Sequence, residues 1–190
     1  MSELPESYEK VSIYPLDDDV REKLFSTQIE CVFNWATRDG WPMGVIMSCL
    51  WKDGRMWLTA GAQRHRISAL RRDPRCSVVV TSTGTALGPG KSATIKGRCV
   101  LHEDRETKDW FYPEFAAHLS PHDSENAAKF QATLDSPLRV VLEVIPEKYI
   151  SYDAIKMFQH TQGNLDESQL GEPKESDTTR LARELERRGL

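Results

Sequence analysis

The sequence predicts a mainly β fold: about six antiparallel strands, closed or half-closed into a barrel, with helices at the periphery. Three observations lead there. Short apolar or alternating runs rich in Val, Ile, Thr and Trp recur between residues 29 and 101 and again at 139–146. Tight-turn residues join some of them directly, most plainly at Asp53-Gly54. Helical patterns enter at only two interior points, after the third and fifth strands, so strands and helices do not alternate as a doubly wound sheet requires.

In chain order, 17–27 reads as an opening helix, with Val20, Leu24 and Phe25 on one side and acidic residues in its first turn. "IECVFNWAT" (29–37) is a strand, and Asp39-Gly40 begins a turn that Trp41-Pro42 lengthens. "GVIMSCLW" (44–51) is almost continuously apolar and predicts a strand buried on both faces. "KDGR" (52–55) is a hairpin turn with "RMWLTA" (55–60) as its return strand. A helix is expected over 62–72, facing inward through Ile67 and Leu70 and stopped by Pro74. "CSVVVTST" (76–83) is a strand, 84–91 a Gly-rich loop, and "SATIKGRCVL" (92–101) a long strand whose Gly97 suits a bulge or a close approach.

Helices are expected over 104–119 and 123–134, with Pro113 kinking or splitting the first. "RVVLEVIP" (139–146) is a strand that "YISYDA" (149–154) extends. Residues 162–177 are polar and acidic, a linker, and 178–188 form a short helix anchored by Leu181 and Leu185. The expected organisation is a barrel domain over 1–160, followed by an acidic linker and short C-terminal helix over 161–190.

The composition narrows function. With 190 residues, 39% of them hydrophobic, one sizeable core can form. A net charge of −4 weighs against general nucleic-acid or anionic-membrane binding. No apolar run approaches a membrane span, and "MSELPESYEK" has neither the basic nor the apolar region of a secretory leader, so the expected location is cytoplasmic. Cys31, Cys49, Cys76 and Cys99 each sit in an apolar run without C-x-x-C spacing and read as buried reduced thiols. His118 and His122 are four apart, but Pro121 spoils a shared helical face, and no metal site is expected.

"WLTAGAQRHRISALRRDPR" (57–75) is the exception to the acidic balance. Arg71, Arg72 and Arg75 fall near the end of the expected helix, where cations complement the helix dipole and face solvent. Arg64 and Arg66 fall in its first turn, just after Thr59-Ala60-Gly61-Ala62-Gln63. Free backbone N–H groups, small residues that let the backbone approach an anion, a threonine hydroxyl and two guanidinium forks together make a phosphate cradle. The glycine spacing is neither that of a P-loop nor that of a Rossmann fingerprint.

The ordered set "DGWPMGVIMSCLWKDGRMWLTAGAQRHRISALRRDPRCSVVV", then "SATIKGRCVL" and "VVLEVIPEKYISYDA", resembles the split β-barrel flavoproteins related to pyridoxamine 5′-phosphate oxidase. The resemblance runs from about residue 20 to 157. It implies an FMN-binding split β-barrel. It also implies a cofactor phosphate at Thr59, Gln63, Arg64 and Arg66, with the ring along the backbone of Val45, Ile46, Met47 and Ser48. The family's second cation is often lysine; here the chain offers His65 or Arg66, and the permanently charged Arg66 fits better. The resemblance implies a homodimer with the cofactor at the subunit interface; Trp41, Trp51, Trp57 and Trp110 suit either that interface and the ring or ordinary core packing.

The activity it implies is hydride transfer from FMN, or from the deazaflavin F420, to a small organic acceptor. The cofactor carries that chemistry, so no catalytic side chain is named. The alternative is a non-enzymatic flavin, F420 or haem-handling protein on the same fold. A true pyridoxamine phosphate oxidase fits less well, because the acidic C-terminus lacks the basic and tyrosyl residues that would hold a second phosphate.

Overall fold

The computed structural model describes residues 8–189. Seven strands form one antiparallel sheet: β1 (Glu30–Ala36), β2 (Pro42–Ser48), β3 (Leu50–Lys52), β4 (Arg55–Gly61), β5 (Arg75–Thr81), β6 (Lys91–His102) and β7 (Arg139–Asp153). Their order is β2-β1-β5-β6-β7-β4-β3. The two ends of that order, β2 and β3, are consecutive pieces of one apolar run. The sheet therefore curls round on itself, and this split β-barrel is the expected fold. The helices are α1 (Asp18–Thr27), α2 (His65–Arg72), α3 (Arg105–Leu119), α4 (Ser124–Leu134), α5 (Ala154–Thr161) and α6 (Glu175–Arg188). None is long and apolar enough to cross a membrane.

Alternation along the strands builds the core. Cys31, Phe33 and Trp35 of β1, Cys76, Val78 and Val80 of β5, and Ala93, Ile95 and Cys99 of β6 point into the barrel. Leu24 and Phe25 of α1 cover one opening and Ile67 and Leu70 of α2 pack on the same core. A second cluster forms where α3 and α4 lie on the outside of β4 and β7: Phe111, Tyr112, Phe115 and Leu134 against Trp57 and Val141. Trp57 and Trp110 meet edge to face at 4.7 Å there, and Trp51 packs on Phe25 while donating to Glu22 at 2.8 Å. Of the four tryptophans weighed for the interface, Trp41 alone stands largely exposed. All four cysteines are buried and free, and burial pushes the Cys76 thiol up to about 12.

The Asp53-Gly54 turn forms as expected, with both residues at positive φ, linking β3 to β4. Gly97 serves both suggested purposes. The β6–β7 register shifts between Lys96 and Gly97, and a methyl group at Gly97 would run into the Ile145 carbonyl.

Four local expectations need correction. The 44–51 run is not one strand buried on both faces. It breaks at Cys49, whose N–H bonds the Ile29 carbonyl at 3.0 Å. Its first part, β2, ends the sheet order and leaves Met43, Gly44 and Ile46 exposed. A continuous apolar run is buried twice only where neighbours cover both faces, and among the described residues none covers the outer one. The helix expected from residue 62 starts at His65, because a turn closed by the Arg64 N–H on the Gly61 carbonyl (3.0 Å) occupies 61–64. Of the kink or split expected at Pro113, the split does not occur: α3 runs unbroken from its cap, the Asp104 carboxylate accepting from the Thr107 N–H at 2.7 Å. Finally, α5 was not anticipated. Asp153 caps it, and its buried His160 meets the buried Tyr14 hydroxyl at 2.7 Å.

The polar stretch after α5 lies along the N-terminal segment. Gly171 N–H donates to the Ile13 carbonyl at 2.8 Å, the Ser12 N–H to Asp177 at 3.0 Å, and the Lys174 N–H to the Ser12 hydroxyl at 3.1 Å. No described side chain beyond His160 is buried.

Candidate functional site

The end of β4, the turn that follows and the start of α2 meet the segment entering β7. Together they enclose a polar cavity of about 210 Å³. Thr59, Gln63, Arg64 and Arg66 all line it, so the four residues named for the cradle come together in space. Gly61 sits in its wall, and the Gln63 side chain folds over it so closely that a Cβ would collide with the amide oxygen. Arg64 is the N-cap of α2 and Arg66 lies in its first turn.

The charges here are uncompensated. Among the described residues neither Arg64 nor Arg66 has an acidic partner, and Arg66 Nε is buried with no hydrogen bond. Burial, and then the like charge of Arg64, pull the Arg66 guanidinium below its usual pKa. The other arginines of the stretch are engaged: Arg71 with Glu103 at 2.6 Å, Arg75 with Asp73 at 2.6 Å, and Arg72 with the Ala36 carbonyl at 3.0 Å. All three are exposed, as expected. Guanidiniums of this kind, one with a buried and unpaired Nε, suit an anion with several oxygens.

Two details of the cradle were not foreseen. The Thr59 hydroxyl donates to the Val140 carbonyl at 2.9 Å, so it faces the cavity as an acceptor unless it rotates. Arg139, the first residue of β7, lines the same cavity, and its Nε is also buried without a partner. Nothing local marks it in the sequence. It lies 73 positions after Arg66 and arrives only because β7 pairs with β4, with Gly61 opposite Arg139.

The residues named for the ring are not in this cavity. Val45, Ile46, Met47 and Ser48 form the second half of β2. Val45 and Met47 pack toward the core, while Ile46 is 71% exposed and borders a separate hollow of about 270 Å³ with Gln28, Val32 and Val79. β2 pairs with β1 along one side only, so its other edge keeps backbone N–H and C=O groups free of ladder bonds. That edge passes β4, the strand that leads into the cradle.

The described residues bring no three His, Cys, Asp or Glu side chains together as a metal cluster.

A curled antiparallel sheet in the order β2-β1-β5-β6-β7-β4-β3, with peripheral helices, defines a split β-barrel. The family model for pyridoxamine 5′-phosphate oxidase matches residues 23–152, and the chain belongs to that family. No curated protein matches the sequence. Among solved structures, a conserved hypothetical protein of Mycobacterium tuberculosis shares the fold with a TM-score of 0.65 at 16% identity, over 87% of this chain and 94% of that one. An F420 reductase superposes with a TM-score of 0.53 at 17% identity, over 68% of this chain and 94% of its own. A FAD-binding protein of Mesorhizobium loti gives 0.54 at 19% identity, over 73% and 96%.

Proposed function

We propose that this protein is an oxidoreductase that uses FMN, or alternatively F420, to pass hydride to a small organic acceptor. The observation that most supports this is the cavity beside Thr59, where unpaired guanidiniums face a space with no carboxylate lining it. Family membership and the similar folds of an F420 reductase and a FAD-binding protein support the same class of ligand.

Arg64 and Arg66 hold the phosphate, and Gln63 lies beside it. The free edge of β2 at Val45, Ile46, Met47 and Ser48 orients the ring through backbone donors and acceptors. The ring, when bound, supplies the hydride chemistry. A second copy of the chain covers the apolar outer side of β2 and excludes water from the ring, so the site lies at the interface of a homodimer.

The test is a titration of FMN and F420 against wild type, Arg64→Ala and Arg72→Ala. Removing one charge-assisted contact to a partly desolvated phosphate costs about 1.5–3 kcal/mol, roughly ten- to over a hundredfold in affinity. Arg72→Ala removes a screened surface charge and is expected to change affinity little. Equal affinity of wild type and Arg64→Ala, or greater damage from Arg72→Ala, would put the cradle in the wrong place. Wild type that binds neither cofactor would remove the oxidoreductase reading.

A further inference from the structure

We infer that Arg139 is a third phosphate-binding arginine, and that with Arg64 and Arg66 it makes the cavity select a terminal phosphate monoester, as in FMN, over a phosphodiester, as in F420. The inference rests on the cofactor reading above and adds a residue and a ligand class to it.

Arg139 is held in place by its backbone. It lies opposite Gly61 across the β4–β7 ladder, and its N–H donates to the Ser136 carbonyl at 2.9 Å. The Ala62 N–H donates to the Leu138 carbonyl at 2.7 Å, fastening the same two segments one step further on. Ser136, Leu138 and Arg139 therefore form the wall that faces Thr59, Gln63, Arg64 and Arg66.

The charge balance identifies the ligand. A half-buried guanidinium with an orphaned Nε is costly unless something anionic completes it. The cavity has two such groups, Arg66 and Arg139, with Arg64 beside them, and no carboxylate lines it. Asp135 precedes this wall, but Arg105 takes it up at 2.6 Å on the far side, toward Tyr112. A phosphodiester brings one negative charge and two free oxygens, which leaves two of the three cations unmatched. A terminal phosphate brings close to two charges at neutral pH and three free oxygens, one for each guanidinium.

The experiment titrates FMN, riboflavin and F420 against wild type, Arg139→Gln and Arg139→Lys, with thermal unfolding of each unliganded protein alongside. Riboflavin carries the ring without the phosphate, so it separates phosphate recognition from general damage to the site. We expect wild type to prefer FMN over F420. Arg139→Gln should weaken FMN at least tenfold, leave riboflavin unchanged and narrow the gap between FMN and F420. Arg139→Lys, which keeps the charge without the fork, should fall between. The inference is overturned if Arg139→Gln binds FMN like wild type, if it weakens FMN and riboflavin equally, or if wild type holds F420 as tightly as FMN. Loss of FMN binding in Arg64→Ala with none in Arg139→Gln would sink this inference and leave the cofactor reading standing. Wild type that binds no phosphorylated flavin would remove both.

Discussion

Single residues in this chain matter by what completes them. Arg71 and Arg75 have carboxylates and Arg72 a backbone carbonyl, whereas Arg66 and Arg139 carry buried Nε atoms without a partner among the described residues. The same distinction applies to the apolar and backbone positions. Gly97 is defined by the Ile145 carbonyl, which occupies the space a side chain would need. That neighbour is backbone inside the longest ladder of the sheet, so it cannot swing aside as a flexible side chain would. Gly97→Ala should therefore destabilise the protein by roughly 1–3 kcal/mol, as overpacking of a rigid site does. A urea melt in which the midpoint falls and the slope stays constant would match this. An unchanged midpoint would show that the β6–β7 bulge relaxes freely.

Among the elements, most of the barrel was legible because its signals are local. The Asp53-Gly54 turn needs positive φ, and the alternation in 76–83 and 92–101 names an inner and an outer face. The 44–51 run was legible as strand but not as an edge, since an apolar side chain does not record whether a neighbour covers it. Four cradle residues could be read because they are contiguous with one strand–helix junction. Arg139 could not, because it reaches the cavity through a long-range pairing. Helix α5 escaped notice because Ile155 and Phe158, its larger apolar residues, are both exposed and mark no buried face. The C-terminal elements show the opposite case. The 3-10 turn Glu167–Gln169 and α6 bury no side chain, and three hydrogen bonds tie their segment to Ser12 and Ile13. Removing residues 163–190 should cost about 0.5–1.5 kcal/mol for each lost bond and leave cooperative unfolding intact. The truncated chain should also keep its affinity for FMN. A truncated chain that unfolds without a cooperative transition would mean that the tail completes the core.

At the scale of the whole molecule, the outer face of the sheet is more apolar than a free surface requires. Val32, Ile46 and Ile150 are all more than a third exposed on the outer side of β1, β2 and β7, and Trp41 is exposed just before β2. Light scattering at micromolar concentration should give twice the 21.7 kDa chain mass. Val32→Glu combined with Ile150→Glu should give a monomer, because a charge pair facing its own copy cannot be desolvated cheaply. A wild-type monomer would refute the dimer. The strand order also bears on how the chain is made. β7 lies between β6 and β4, so before residues 139–146 have been synthesised the β3–β4 hairpin has no ladder to the other four strands. A ribosome lengthens the chain by about 5–20 residues each second. For several seconds the nascent chain thus carries two sheet fragments linked through Cys49 and through α2 but by no ladder, with raw edges on both. Chaperone dependence during synthesis should rise as β6 emerges and fall once β7 has passed the exit, a timing set by which strand comes last rather than by how stable the finished barrel is.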